Sequence, residues 1–383
     1  MQTQDIRDFK AGVWRQRLEY KSFTPSLISR QWISSNPELQ RLLEEANRQL
    51  GKLDAFSELV PDVDFFIKMH ITKEATESSK IEGTQTSFRD ALIDPKDLDP
   101  EKRDDWKEVH NYIDAVNDAI HEMERIPISN RLIRQTHRTL LKGTRGEEKL
   151  PGEYRRSQNW IGSSLKHAAF VPPTHEEIPD LMHDLEQFIN AEILDLPIII
   201  PQLIKIAIIH YQFETIHPFL DGNGRIGRLL ITLYMIDKKL MRKPALYLSD
   251  FFERNRLDYY EKLNAVRTHN QMDEWIRFFL QGIIETAGNS INTFQKIIAL
   301  RDDIERNKLI TIGRKQPDGL KLINEMYKQP VLYGTQIAEL LQRHPSNANK
   351  LIAELESLNI LTELTGYSRN RMYAFMPYIE LFD

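Results

Sequence analysis

The sequence contains no cysteine among its 383 residues. This absence excludes disulfide bonds, thiolate catalysis and zinc sites built from cysteine. Long apolar runs are also missing, because a run such as Leu196–Ile200 is far too short to span a bilayer. The N-terminal residues lack a basic start followed by an apolar core, so no signal peptide is expected. These absences predict a cytoplasmic protein with no membrane partner.

An excess of positive charge is absent as well, since the formal net charge is -5. The protein therefore has no overall basic field that would attract nucleic acid or anionic lipid. Hydrophobic residues make up 41% of the chain and charged residues 28%, as in ordinary globular proteins. The length allows two or three domains with sizeable cores.

The stretch from His217 to Arg228 combines residue types that a core segment does not need. It contains an imidazole, a carboxylate, an amide, two guanidiniums and several glycines. Glycines let backbone N–H groups approach a phosphate, and guanidiniums donate to phosphate in pairs. Apolar residues then recur at helical spacing from Ile226 to Ile236. The glycines are therefore predicted to lie at a helix N-terminus, where anions bind.

Two side chains of this stretch indicate chemistry beyond anion binding. A carboxylate among phosphate ligands would be repelled unless a cation lay between, so Asp221 is the candidate Mg²⁺ ligand. His217 is the candidate general base, because an imidazole can accept a proton near neutral pH. The alternative interpretation is a glycine-rich turn beside a core histidine.

The same stretch resembles the signature of the Fic (Fido) family, His-x-Phe-x-Asp/Glu-Gly-Asn-Gly-Arg-x-x-Arg. The matching residues are His217, Phe219, Asp221, Gly222, Asn223, Gly224, Arg225 and Arg228. A match over so many fixed positions is specific, whereas a lone Gly-x-Gly would not be. The resemblance implies a mainly α fold, in which a helical core carries a β-hairpin flap. It also implies transfer of AMP from ATP, with Mg²⁺, to a protein hydroxyl.

The resemblance also implies which residues form the site. His217 would be the catalytic base, and Asp221 would hold the metal. The nucleotide would lie along Asp221, Gly222, Asn223, Gly224, Arg225, Ile226, Gly227 and Arg228. Relatives place a tyrosine from the region after the signature against the adenine, and Tyr259 is the candidate here. An aromatic pair on a helix, however, is usually part of the core.

A β-hairpin is predicted between Gly152 and Pro173, because two short strand-like pieces flank a turn of glycine and serine. In relatives this hairpin is a flap, and its extended edge could pair with the main chain of the acceptor protein. The resemblance adds Asn159, Trp160, Ile161 and Gly162 to the nucleotide site. The alternative is a connecting hairpin with no further role.

A second motif lies upstream, from Ser78 to Gly83. It resembles the inhibitory motif of the family, Ser/Thr-x-x-x-Glu-Gly/Asn. Ser78 and Glu82 are four residues apart and so share a helix face, and Gly83 is placed to end the helix. The resemblance implies that Glu82 pairs with Arg228 and takes the space of the ATP γ-phosphate. An inhibitory helix this early in the chain resembles the second of the family's three inhibitory classes.

Two other interpretations of this motif stay open. The segment could be a plain solvated helix end. In some relatives the same glutamate positions a water molecule that removes AMP from a modified protein. The chain could therefore catalyse both the transfer and the removal of AMP.

The patterns divide the chain into three parts. Residues 1–105 are predicted to be an N-terminal helical region with the inhibitory helix, residues 106–310 the Fic catalytic core, and residues 311–383 a winged-helix-like domain. The last part shows three helices and a hairpin, which is the winged-helix order. From residue 319 onward the chain contains six Lys and Arg residues and seven Asp and Glu residues, whereas strong DNA binders carry an excess of basic residues. Weak DNA binding through residues 319–383, protein docking and a structural role therefore all remain open.

The expected partner is a protein with a Ser, Thr or Tyr acceptor, which could be the chain itself. One alternative is a DNA-binding regulator that senses nucleotide, although such a sensor needs neither His217 nor Asp221. Another is a transferase of UMP, phosphocholine or phosphate. A homodimer is also left open.

Overall fold

A computed structural model describes residues 3–59 and 63–382 of the chain, and helices dominate it. The helices are α1 (Pro37–Leu59), α2 (Val63–Ile81), α3 (Phe88–Ala91), α4 (Arg103–Glu122), α5 (Asn130–Leu140), α6 (Ile178–Ile189), α7 (Gln202–Ile216), α8 (Asn223–Asp237), α9 (Leu248–Arg254), α10 (Arg256–His269), α11 (Met272–Asp303), α12 (Gln316–Met326), α13 (Gly334–Leu341), α14 (Pro345–Ser357) and α15 (Met376–Ile379). The strands are β1 (Thr3–Asp5), β2 (Gly12–Gln16), β3 (Lys21–Pro25), β4 (Gln31–Ile33), β5 (Ile161–Gly162), β6 (Ala168–Phe170), β7 (Val331–Tyr333), β8 (Thr362–Glu363) and β9 (Met372–Ala374). The predicted fold class, mainly α with small sheets, is confirmed. Within the described ranges, no helix has the length and apolarity that a membrane crossing requires.

The first part of the chain differs from the prediction of a helical N-terminal region. Residues 3–33 form two small sheets, in which β1 pairs in parallel with β4 and β2 pairs antiparallel with β3. Helix α1 begins only at Pro37. These strands are three to five residues long, too short for an alternating pattern to stand out, and their pairing is set by contacts with the rest of the protein.

Helix α7 lies at the centre of the protein. Its residues are buried on every side from Leu203 to Ile216. A helix that is apolar all round is a core helix. Within it His210 is fully buried, with Nδ1 2.9 Å from the Gly227 carbonyl oxygen and Nε2 2.9 Å from the Tyr259 hydroxyl. His210 therefore ties α7 to α8 and α10.

The C-terminal part contains the three predicted helices and the hairpin, together with one further strand. The strand order is β7-β9-β8, and both pairings are antiparallel. This part packs on α2, because the ring of Phe66 lies 5.3 Å from that of Tyr327 and the ring of His70 lies 5.2 Å from that of Phe382. The helix that carries the inhibitory motif is thus covered by the end of the chain.

Candidate active site

The predicted phosphate turn lies between two core helices. Helix α7 ends at Ile216, and His217 takes a left-handed conformation with φ 51° and ψ 60°. A residue other than glycine seldom adopts this conformation, and such strain is concentrated at functional sites. Gly222 caps the start of α8 with φ 73°. The glycine turn therefore lies at a helix N-terminus, as the sequence predicted.

The side chain of Asn223 closes this turn. Its Oδ1 accepts from the Phe219 N–H at 2.8 Å, and its Nδ2 donates to the Phe219 carbonyl at 2.9 Å. Asn159 of the flap donates to the same carbonyl at 2.9 Å. Asn223 and Asn159 were predicted to bind nucleotide, but here their side chains shape the turn that presents the backbone.

His137 of α5 also supports the turn, and the sequence analysis missed it. The Gly152 N–H donates to its Nδ1 at 2.8 Å, so the proton lies on Nε2, which donates to the Asp221 carbonyl at 2.9 Å. The ring stacks on Phe219 with centroids 3.8 Å apart. Burial lowers the pKa of His137 to about 4, so the ring is neutral at physiological pH. His137 thereby fixes the backbone that carries the candidate metal ligand.

Replacing His137 with leucine should weaken nucleotide binding, because the backbone of Asp221 would lose its buried partner. Loss of such a supporting contact typically costs about 10- to 100-fold in affinity at metal sites. Isothermal titration with ATP and Mg²⁺ would measure the change. An unchanged affinity in a folded His137→Leu protein would contradict this supporting role.

A cavity of 580 Å³ opens beside the turn. The signature contributes His217, Gly224 and Arg228 to its lining, and the flap contributes Trp160, Ile161 and Phe170. The residues from the signature are therefore polar and charged, and those from the flap include two aromatic rings. This combination suits a nucleotide, which joins a flat base to an anionic tail.

The other predicted nucleotide residues lie outside this cavity. Ile226 is 1% exposed and belongs to the core. Gly227 faces Glu214 of α7 so closely that any side chain there would collide with the carboxylate. Gly162 belongs to β5 with φ 127°, which requires glycine. Helix packing and strand geometry account for these three residues.

The prediction of Tyr259 as the adenine contact is wrong in this structure. Tyr259 is 1% exposed and bonds to His210 in the core, whereas Tyr260 lines the cavity. Successive helical residues point about 100° apart, so only one member of a tyrosine pair can face the site. Tyr260 is the aromatic residue that this helix presents to a ligand.

His217 lines the cavity as a neutral imidazole. Burial, together with the positive charge of Arg267, lowers its pKa to about 4. The ring is thus unprotonated at neutral pH and can accept a proton. The Arg155 side chain of the flap base donates to the His217 carbonyl at 3.0 Å, which holds the residue in place.

Glu82 and Arg228 form the ion pair that the upstream motif predicted. Nη2 of Arg228 lies 2.7 Å from Oε1 of Glu82. The same guanidinium donates to the Ser78 hydroxyl and to the Ser78 carbonyl, each at 2.9 Å. Burial would raise the pKa of Glu82, but the charge of Arg228 and its hydrogen bond hold it below the usual value. The carboxylate is therefore ionised, and the chain continues past it through Gly83 with φ 104°.

The Glu82 carboxylate also occupies the anion position at the start of α8. A side chain at Gly224, in the first turn of α8, would collide with it. Unpaired N–H groups and the helix dipole favour negative charge at this place. An intramolecular carboxylate thus lies where a phosphate would be bound.

Asp221 lies on the outer side of the turn, with its side chain 44% exposed. Its Oδ1 accepts from the Gly222 N–H at 2.6 Å and lies 3.7 Å from Arg225. Arg225 is in turn paired with Glu108 of α4 at 2.9 Å. Within residues 3–59 and 63–382, no group of three or more acidic or histidine side chains could hold a metal. A single carboxylate that completes its metal shell with substrate phosphates is the usual Mg²⁺ arrangement, so the residues present fit that ion.

Two buried charged groups in the cavity were missed by the sequence analysis. Glu214 of α7 is 6% exposed, and its Oε1 has no hydrogen-bond partner among the described residues. Arg267 of α10 donates to the Glu214 carbonyl at 3.2 Å and to the Thr215 hydroxyl at 3.1 Å. Its guanidinium lies 3.9 Å from the centre of the Phe170 ring on the flap. Arg267 therefore links the flap to the helix that delivers His217.

Glu214 should make the stability of the protein depend on pH. Burial raises its pKa to about 7 from the ordinary value of 4.5. The pKa of Glu214 is higher in the folded than in the unfolded protein. Its contribution to the free energy of unfolding is therefore complete below about pH 4.5 and is lost as the pH rises to about 7. We expect the wild type to lose on the order of 3 kcal/mol relative to Glu214→Gln over this range. Urea unfolding of both proteins at a series of pH values would measure the difference, and parallel pH profiles would contradict it.

The sequence itself matches two families. Residues 40–121 match the family described as Fic/DOC family N-terminal, and residues 127–235 match the one described as Fic/DOC family. A Fic family protein from Desulfovibrio desulfuricans G20 has a similar structure, with a TM-score of 0.58 at 20% identity over 90% of this chain and 98% of that one. Identity this low shows a shared fold and nothing further.

Two curated proteins are similar in sequence. A protein adenylyltransferase Fic of Aedes aegypti is 27% identical over 193 residues, which are 50% of this chain and 34% of that protein. A probable protein adenylyltransferase of Aquifex aeolicus is 28% identical over 187 residues, 46% of this chain and 51% of that protein. The chain thus spans about a third to a half of the length of these relatives.

Proposed function

Because this chain belongs to the Fic/DOC family over residues 40–121 and 127–235, we propose that it is a protein adenylyltransferase restrained by its own Glu82. The reaction moves AMP from ATP to the hydroxyl of a Ser, Thr or Tyr residue on a protein. The observation that carries this proposal is the cavity in which a neutral imidazole, His217, faces an anion position at the N-terminus of α8. A histidine sealed in the core would not support it.

In the proposed reaction the acceptor oxygen attacks the α-phosphorus of ATP. His217 takes the hydroxyl proton as the new oxygen–phosphorus bond forms, and the bond to the β-phosphate breaks, so pyrophosphate leaves. The phosphates lie against the backbone N–H groups at the start of α8, where their charge is favoured. Mg²⁺ on Asp221 would neutralise part of the phosphate charge. Positioning and charge neutralisation therefore supply most of the rate enhancement.

The proposed restraint follows from the position of Glu82. Its carboxylate pairs with Arg228 at 2.7 Å and covers the backbone at Gly224. A nucleotide phosphate would use the same guanidinium and the same backbone N–H groups. Two anions cannot share this place without repulsion. ATP must therefore bind with its phosphates displaced, or Glu82 must move away.

Labelled nucleotides distinguish this reaction from the alternatives. We expect protein to be labelled by ATP that carries its label in the α-phosphate, and not by ATP labelled in the γ-phosphate. Label arriving only from the γ-phosphate would indicate a kinase. Preferential labelling by UTP would indicate transfer of UMP. The Glu82→Gly protein is the better sample, because its phosphate position is free.

Removal of AMP is a second candidate activity. Glu82 lines the same cavity as His217, so its carboxylate could hold a water molecule beside a modified residue. If so, Glu82→Gly should lose the release of AMP from a modified protein while it gains transfer. Release that survives in Glu82→Gly would exclude this role.

A further inference from the structure

The N-terminal hairpin, formed by β2 and β3, is joined to the flap, formed by β5 and β6. The Phe23 N–H donates to the Val171 carbonyl at 2.9 Å, directly after β6. Trp14 and Phe23 each lie with their ring centres 6.1 Å from that of Phe170. The proposed mechanism uses the flap but gives the N-terminal hairpin no part.

The N-terminal hairpin is anchored on Glu177, which lies directly before α6. Thr24 donates to Glu177 at 2.7 Å, and Arg17 pairs with the same carboxylate at 3.3 Å. The hairpin is therefore fixed relative to the flap, and the two can present one continuous surface.

Large apolar side chains are exposed on this hairpin. The exposed fractions are 55% for Val13, 41% for Trp14 and 102% for Leu18. Val13 and Trp14 are neighbours on β2 and so point to opposite faces of the hairpin, and of the three residues it is Trp14 that lines the groove described next.

A groove of 270 Å³ runs between the N-terminal hairpin and the flap. Trp14, Tyr20 and Phe170 give it aromatic walls, and Lys21 and Lys166 lie on its two sides. Ala169 and Phe170 line both this groove and the nucleotide cavity. A chain lying in the groove can therefore continue toward His217 across the flap strand.

The charges around the groove favour an acidic occupant. Lys21 and Lys166 make no ion pair within the described residues. Arg15 and Arg17 lie on the same hairpin, and both approach Glu177. Glu177 thus engages both arginines, and the charged residues that line the groove are Lys21 and Lys166 against Glu19, a net positive charge.

We propose that the N-terminal hairpin and the flap together form the docking groove for the acceptor protein, which presents an acidic extended segment with an aromatic residue. The aromatic residue would pack against the exposed side of Trp14 and the neighbouring Phe170, and its acidic neighbours would face Lys21 and Lys166. This inference rests on the proposed function, because it assigns the groove to the protein that receives AMP.

Peptide binding without ATP tests the groove separately from the chemistry. The probe is a fluorescein-labelled peptide, Asp-Asp-Phe-Val-Asp-Gly-Ser, and the comparison peptide carries lysine in place of each aspartate. Fluorescence anisotropy would measure both affinities for the wild type and for the double variant Lys21→Glu, Lys166→Glu. We expect the wild type to prefer the acidic peptide and the double variant to bind it about tenfold more weakly. The lysine peptide should regain affinity on the double variant.

Further variants identify the groove as the binding place. Trp14→Ala should weaken the acidic peptide by about tenfold, because aromatic anchors dominate such contacts. Lys52→Glu makes one such lysine-to-glutamate change on the exposed side of α1 and should leave peptide affinity unaltered. Equal affinities of the wild type for both peptides, no binding at about 1 mM, or indifference to the charge reversal would each overturn the proposal. A wild-type dimer that Trp14→Ala dissociates would assign the groove to a second copy and would also overturn it.

The outcomes also separate this proposal from the proposed function. If the wild type transfers AMP to protein but neither peptide binds, the docking groove is wrong and the reaction stands. If the acidic peptide binds in the expected way but no protein is ever labelled, the groove stands as a site for acidic peptides, whereas the reaction and the groove's assignment to an acceptor protein are both wrong.

Discussion

Replacing His217 with alanine should lower AMP transfer by at least about a hundredfold, because the acceptor hydroxyl would lose its proton acceptor. The low pKa of His217, about 4, keeps the imidazole in the basic form over the whole neutral range. Nucleotide binding should persist, since the backbone of the α8 N-terminus and Arg228 are unchanged. Transfer from α-labelled ATP and isothermal titration would measure the two quantities on one sample.

A matched control for this variant is His121→Ala. His121 is a histidine of α4 whose side chain is 73% exposed. It does not line the cavity that contains His217. It should transfer AMP like the wild type. Labelling by His217→Ala at the wild-type rate would remove the general base from the proposal, and with it the reaction as written.

Replacing Glu82 with glycine should raise AMP transfer by about ten- to a hundredfold. Arg228 donates a charge-assisted hydrogen bond to Glu82, and contacts of this kind contribute about 1.5–3 kcal/mol. A phosphate that enters the site must replace this contact, and each 1.4 kcal/mol changes an equilibrium tenfold. Without the carboxylate, Arg228 and the N–H groups near Gly224 become available to the nucleotide. Initial rates of labelling at fixed ATP would measure the gain.

Glutamine variants separate the charge of Glu82 from its size. Glu82→Gln keeps the shape of the side chain and removes the negative charge, so it should also raise transfer. Glu77→Gln makes the same change five residues earlier, within α2, where the carboxylate pairs with Lys73 at 3.2 Å instead of with Arg228. If both variants changed transfer equally, loosening of α2 would explain the effect and the inhibitory role of Glu82 would be lost.

The signature region was predictable because its structure is encoded locally. Glycines with an apolar helical pattern after them place a turn at a helix start, and the structure has Gly222 in that position. The pairing of Glu82 with Arg228 was implied by the family motif alone. Residue spacing shows only that Ser78 and Glu82 share a face, not what that face meets.

The parts that sequence could not predict depend on contacts between distant segments. His137 reaches Asp221 from 84 positions away, and a lone histidine on an apolar helix face gives no sign of this. The Asn223 amide could bind a phosphate, but its Oδ1 instead accepts a hydrogen bond from the backbone N–H of Phe219. The choice between Tyr259 and Tyr260 depends on helix rotation, which two adjacent tyrosines do not reveal.

The aromatic contacts between the chain's end and α2 affect how truncated proteins should be used. Phe382 packs on both His70 and Phe88, and Tyr378 packs on Phe66, so deleting the last residues would uncover the flank of α2, which leads to Glu82. A shortened protein would then have a loosened Glu82 as well as a missing tail. Faster labelling by such a protein would reflect the loss of packing contacts on α2. Point variants within the intact chain are therefore the better test of the role of the C-terminal part.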